Sequence, residues 1–343
     1  MFVDRLPTDD GRIKPDLVAD GRFLTSTLPN NQYGGMGGTS MATPVVAGGL
    51  ALILEHWNNS LPQLTPAPAS MIKALLVTSA VDIVNTNVNP AIQPGPDYQT
   101  GWGLFNAENA VDIITAGVDH FMTVNIAVGT NANQQQDFGF FVPVETNEVR
   151  ISAAWTEPGT NPNVAAALIN DVDIRLIDPN NTTHNPWVLN PVAQGDAAIR
   201  GDNNIDNVEQ IIVNNPVSGN WILRVITGNN FVNNQDVSIV SSISLNALDT
   251  DGDLLSDLDE NRFGTNPNDP DPDQDTLSDF DEVCFDGDCT SYRPYPEGRD
   301  TNANLADTDY DGLSDNLEID TGRNPIVNEP VLITIISSYL LSS

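Results

Sequence analysis

The sequence predicts a multidomain chain: a mixed α/β part, then an antiparallel β-sandwich, then an acidic, cation-binding repeat array. Three observations predict it. Strongly apolar helical patterns stand among loops up to residue 117. Short alternating runs broken by turn residues fill 118–246, and one twelve-residue acidic motif recurs within 247–329. An apolar stretch, 330–343, follows without a role that its residues define. A length of 343 residues suits two or three domains with cores of their own.

In the first part, Thr43-Pro44 lead into Val45–Leu54, a run apolar on every side, and the spacing predicts a buried helix. Pro44 suits the first turn, where a missing N–H costs nothing. Met71, Ile72, Leu75 and Leu76 recur at helical spacing and predict a second helix over 69–78. Asn106 reads as the N-cap of a third over 107–116, with Gly117 just past its end. The middle part predicts strands over 121–128, 148–155, 172–177, 208–213, 221–226 and 237–245. Asn-, Gly- and Pro-rich turns separate them, as in a β-sandwich; a barrel would give much the same string.

The chain carries 13 Lys and Arg against 47 Asp and Glu, a net charge of −34. Residues 249–329 alone hold 24 acids and four Arg. Nucleic acid is thereby excluded as the main partner, because a phosphate backbone needs a positive surface to displace its counterions. An anionic membrane surface is disfavoured for the same reason. Such acidity invites hard cations, which take oxygen ligands. No apolar run reaches the ~20 residues of a membrane span. Residues 1–5 have no signal-peptide character. The two cysteines, Cys284 and Cys289, are spaced to close a small disulfide loop in an oxidising compartment.

The acidic motif begins at Asp249, Asp271 and Asp307. Its first copy places carboxylates at Asp249, Asp251, Asp253, Asp257 and Glu260; the second at Asp271, Asp273, Asp275, Asp279 and Glu282; the third at Asp307, Asp309, Asp311, Asp315 and Glu318. These are positions 1, 3, 5, 9 and 12 of an EF-hand-type loop, where position 7 adds a backbone carbonyl (Leu255, Leu277, Leu313) and the last Glu binds through both oxygens. Ca²⁺ wants six to eight such oxygens in a flexible cage. Position 6, usually Gly for the sharp turn, is Leu254 and Thr276 in two copies and Gly312 only in the third, so the first two loops are expected to be strained or to turn differently. The flanks are expected not to be helices, since 263–270 is a turn-rich spacer. The pattern over 249–325 resembles the thrombospondin type 3 repeat. That resemblance implies a calcium-stiffened stalk with metal in place of a hydrophobic core. Asp286, Asp288, Asp300, Asn302 and Asn304 are further ligand candidates.

Ser40, in Gly37-Gly38-Thr39-Ser40-Met41-Ala42-Thr43-Pro44, stands at the entry to the first helix. There its N–H and the helix dipole favour negative charge developing on an acyl oxygen. Read alone, a Ser at this place is an ordinary N-cap. The whole string resembles the serine segment of subtilisin-like proteases. Residues 9–19 (Asp-Asp-Gly-Arg-Ile-Lys-Pro-Asp-Leu-Val-Ala) and 101–107 (Gly-Trp-Gly-Leu-Phe-Asn-Ala) resemble neighbouring elements of that family, so the likeness covers about 2–117. Residues 168–174 and 202–209 are similar to the C-terminal β-domain of one subtilase branch.

The resemblance implies that Ser40 is the nucleophile of a secreted or cell-surface, calcium-dependent serine endopeptidase acting on peptide or protein substrates. A hydroxyl needs a base, and the base an orienting acid. In subtilases both precede the Ser, yet no His lies among the 39 residues before Ser40. His56, His120 and His184 match no family motif. Residues 2–7 look like a degraded family element, so the chain is expected to lack the N-terminal half of the catalytic domain and to be inactive alone. The alternative is a non-catalytic calcium-binding surface or spacer protein that retains a relic of the protease fold.

Overall fold

The computed structural model describes residues 8, 10–85, 87, 91–159, 168–229, 231–246, 248–288 and 291–328. The degraded element at 2–7, Asp9, Cys289 and the apolar stretch from 330 lie outside them. The chain divides into two compact units, Met1–Val217 with Trp221–Asn246, and Ser218–Asn220 with Ala247–Ser343.

In the first unit, strands β1 (Leu24–Leu28) and β2 (Gln32–Met36) form a hairpin with Leu24 opposite Met36. Asn30 and Asn31 turn it at φ 63° and 60°, left-handed values that Asn tolerates. Helix α1 follows (Thr39–Ser60), then α2 (Ala69–Ser79) and α3 (Ala107–Ala116). The Asn106 side chain accepts the Asn109 N–H and Gly117 takes φ 119°, the cap and stop that the sequence predicts.

Strands β3 (Phe121–Ile126), β4 (Gln135–Val142), β5 (Glu148–Trp155), β6 (Val172–Ile177), β7 (Thr183–His184), β8 (Trp187–Val188), β9 (Ile199–Arg200), β10 (Val208–Asn214), β11 (Gly219–Thr227) and β12 (Gln235–Ser241) complete the sheets. Two four-stranded sheets result, ordered β10-β5-β12-β3 and β4-β11-β6-β7. Every pairing registered between their strands is antiparallel.

The first sheet is buried on both faces, and alternation explains how. Val149, Ile151, Ala153 and Trp155 of β5 point into a core shared with Val172, Ile174 and Leu176 of β6. The other face sends Ala154, Val208 and Val240 into a second core with Met71, Ala74 and Leu75 of α2 and Trp57 of α1. Polar groups on that face find partners in α2: Ser70 and Ser238 share a hydrogen bond of 2.8 Å, and Gln210 Nε2 donates to the Val77 carbonyl at 3.0 Å.

Two expectations need correction here. Helix α1 is not buried all round: only Ile53 and Trp57 are, while Leu52 is 67% exposed. One flank packs on α3 and Phe121; the other lines an open groove. Strand β4 escapes the sequence reading because exposed Gln135, Gln136 and Asp137 open it and buried Phe140, Phe141 and Val142 close it, without alternation.

The second unit holds the acidic motifs. Each runs into a short helix: α4 (Asp257–Phe263), α5 (Asp279–Val283) and α6 (Asp315–Asp320). The expectation of non-helical flanks is therefore overturned at position 9, although each helix ends within two turns and the spacer after Phe263 stays irregular. For α4 and α5 the Ser at position 8 is the cause, whereas Ser314 before α6 makes no side-chain cap bond. Ser256 and Ser278 accept the N–H groups of Asp259 and Asp281 as N-caps, and the acids that follow suit a first turn. Cys284 is disulfide-bonded.

Candidate functional sites

Ser40 is the second residue of α1 and is exposed. Gly38 precedes the helix at φ 150°, a conformation that favours glycine, and its carbonyl accepts the Met41 N–H at 3.0 Å. Its own N–H donates to the Gly21 carbonyl at 2.8 Å, which ties the helix start to the segment 16–22. That segment and α1 wall an open groove of about 1610 Å³. Ala42, Val46, Leu50 and Leu54, four residues apart on α1, give it an apolar side, and Gly37, Gly38 and Thr39 stand at its edge.

No imidazole serves Ser40 among the described residues. His56 lies on the same helix sixteen residues on, about 24 Å along its axis, and meets Thr115 Oγ1 at 2.9 Å. His120 Nδ1 meets the Ser241 carbonyl at 3.1 Å, and burial lowers its pKa. His184 lies 3.3 Å from Asp178 and stacks on Trp221.

The acidic loops share one lattice. The position-1 carboxylates of Asp249, Asp271 and Asp307 accept the position-6 N–H of Leu254, Thr276 and Gly312 at 3.2, 3.0 and 2.9 Å. The position-5 carboxylates accept the N–H of Leu255, Leu277 and Leu313 at 2.8, 2.8 and 3.0 Å. The expected difference in turn is absent: Leu254, Thr276 and Gly312 sit at φ 87°, 80° and 97°. The first two loops make the glycine turn with side chains that disfavour it.

Three groups converge: Asp249, Asp251 and Asp253; Asp271, Asp273 and Asp275; Asp307, Asp309 and Asp311. Within each, one ligand oxygen per residue lies within 4.8 Å of the others. Glu260, Glu282 and Glu318 face these groups at 0% exposure, and none of their six carboxylate oxygens has a hydrogen-bond partner. Burial first, then repulsion from the aspartates, pushes these glutamates up to about 8, 9 and 7. The Thr301 hydroxyl lies close enough to act on Glu282 but does not offset this; fully buried carboxylates so poor in donors are costly unless a cation compensates them. An all-oxygen set of this kind fits a hard divalent ion.

Position 9 behaves differently from the sequence pattern. The carboxylates of Asp257 and Asp315 accept both the N–H and the hydroxyl of Thr250 and Thr308, at 2.6–2.9 Å. In the second loop Pro272 stands in the threonine's place and has no N–H to give. Of the additional candidates, Asp300 is buried and accepts the Arg293 N–H at 2.6 Å, and Asn302 and Asn304 lie in the following turn. Asp286 and Asp288 are the acids that act on Asp300. The threonine at position 2 in two of three copies was the only trace in the sequence of how position 9 is held.

Residues 2–103, a segment that includes Ser40, match the Subtilase family. A stretch of 104 residues is 34% identical to the C5a peptidase of Streptococcus pyogenes, covering 30% of this chain and 9% of that protein. Over 212 residues the chain is 28% identical to the PI-type proteinase of Lactococcus lactis subsp. cremoris, covering 60% of this chain and 10% of the relative. The chain therefore spans about a tenth of the length of these relatives. Among the described residues no helix is long and apolar enough to cross a membrane.

Proposed function

We propose that this chain is the serine-bearing C-terminal portion of a secreted or cell-surface serine endopeptidase, followed by a β-sandwich and a thrombospondin type 3 calcium array. The observation that carries the reading is Ser40, exposed at the start of α1 within the segment that matches the Subtilase family. Ser40 Oγ would attack the scissile carbonyl carbon of a peptide. The Ser40 N–H, at the positive end of the helix dipole, would stabilise the oxyanion as it forms. Attack requires a base to take the hydroxyl proton, and none of the three histidines is placed to do so. The base, its orienting acid and a second oxyanion donor would come from a preceding segment that packs on the apolar flank of α1.

In the array, Asp249, Asp251, Asp253 and Glu260 would hold one calcium ion, Asp271, Asp273, Asp275 and Glu282 a second, and Asp307, Asp309, Asp311 and Glu318 a third, with the carbonyls of Leu255, Leu277 and Leu313. Bound calcium supplies charge neutralisation and cross-links. The disulfide at Cys284 supports an oxidising compartment.

The absence of an imidazole near Ser40 favours a second reading, a non-catalytic calcium-binding surface or spacer protein. One experiment separates the two. The 343-residue chain alone should neither hydrolyse a generic peptide nor react with a fluorophosphonate. Addition of the DNA-encoded upstream segment should restore both, and Ser40→Ala should abolish them. If no upstream segment restores reactivity, the endopeptidase reading fails and the spacer reading stands.

A further inference from the structure

We infer that the position-9 carboxylates of the second and third repeats complete the cation site of the repeat before each, so that Asp279 serves the first loop and Asp315 the second. The inference rests on the calcium reading above and concerns how the sites are linked. Its geometric basis occurs twice. Asp253 Oδ2, at position 5 of the first loop, accepts the N–H of Phe280 at 2.9 Å; Asp275 Oδ2, at position 5 of the second, accepts the N–H of Asn316 at 3.0 Å. Phe280 and Asn316 each follow directly on the position-9 acid of the next repeat. The second and third motifs start fourteen residues farther apart than the first and second do, and the contact is kept nonetheless.

The carboxylates themselves complete the case. Asp279 is fully buried and neither of its oxygens has a hydrogen-bond partner, although Thr265 and the Asn266 N–H lie close enough to act on it. The charged groups that act on it are Asp253 and Asp251, both of the preceding loop. Glu260 in turn feels Asp251, Asp253 and Asp279, and least of these Asp257 of its own loop, whose carboxylate is engaged by Thr250. One repeat on, Glu282 feels Asp273, Asp275 and Asp315, and Asp315, which also acts on Glu318 of its own loop, feels Asp275 of the preceding loop before Asp307 of its own. Pro272 explains why Asp279 is the clearest instance: without the threonine clamp of the other copies, nothing in its own loop holds it.

The third loop has no following repeat among the described residues. It has instead a cation: Arg323 Nη1, buried and without a hydrogen bond, lies 3.9 Å from Asp311 Oδ2. Ligand charge tunes calcium affinity. Arg323 thus offsets part of the negative charge at the third loop.

Calcium calorimetry on the chelator-stripped full chain tests this at fixed ionic strength. Asp279→Asn should weaken one site roughly tenfold. The loss should vanish in a Glu260→Gln background and persist in a Glu282→Gln background. Asp315→Asn should show the matching pattern, silent with Glu282→Gln and intact with Glu318→Gln. It also guards against misfolding of the first variant. Position-9 losses that vanish with the glutamate of their own loop, or no loss in either variant, overturn the inference while leaving calcium binding in place. No calcium heat in the unmodified chain overturns the calcium reading itself.

Discussion

At the scale of single residues, the array shows a backbone demand overriding side-chain preference. Leu254 and Thr276 adopt the left-handed turn because Asp249 and Asp271 each hold the position-6 N–H. Leu254→Gly should relieve that turn, partly offset by the greater freedom of glycine when unfolded, and raise stability by up to about 1 kcal/mol. A Cβ at Gly312 would meet nothing, so Gly312→Val should cost about 1–2 kcal/mol for conformation alone. Thermal unfolding in saturating calcium checks both.

A second residue-scale prediction concerns pH. Asp206 accepts the Ile13 N–H at 2.7 Å and Asn203 Nδ2 at 3.1 Å, yet burial outweighs these bonds and pushes its pKa from 3.8 up to about 6. The folded state thus binds this proton more tightly than the unfolded chain does. Its contribution is complete below about pH 4 and is lost as pH rises through about 6. Urea unfolding at pH 5 and pH 8 should show a smaller pH difference for Asp206→Asn than for the unmodified protein. An unchanged difference would assign the pH dependence to other buried acids such as Asp171, which burial and neighbouring carboxylates push up to about 7.

At the scale of elements, α2 is the joint of the first unit. Its hydrophobic face was legible because Met71, Ile72, Leu75 and Leu76 recur at helical spacing. Its opposite neighbours were not, since nothing local in Ser238, Gln210 or Arg150 says that they meet a helix. Arg150 Nη1 donates to the carbonyls of Thr78 and Ala80, at 3.3 and 2.6 Å, and so satisfies the end of α2. Arg150→Ala should destabilise the first unit by about 2 kcal/mol, measured by chemical denaturation. A loss near zero would mean that water replaces the guanidinium at the helix end. The short helices α4 and α5 make the same point from the other side: the serine at position 8 was visible in all three motifs, but its capping role required the chain to turn first.

At the scale of the whole molecule, the two units are stabilised by different physics. The first has two apolar cores. In the second, the buried apolar residues described are Leu255, Val283 and Ala303, set against fully buried Glu260, Glu282 and Glu318. Removal of divalent cations should therefore melt the second unit and leave the unfolding of the first unchanged, as two transitions in calorimetry. A single chelator-insensitive transition would contradict this.

What the sequence determined by itself was local and repetitive: the capped helix after Asn106, most of the alternating strands, the three acidic loops, and Ser40 at a helix entry. These signals survive in one dimension because periodicity and capping act over a few residues. Only the tertiary structure decided which face of α1 is covered, that one sheet is buried on both sides, and that no histidine reaches Ser40. It also decided that the N–H groups of Phe280 and Asn316 meet the position-5 carboxylates of the preceding loops. Each of these depends on residues far apart in the chain, brought together by burial, whose driving force is indifferent to sequence separation.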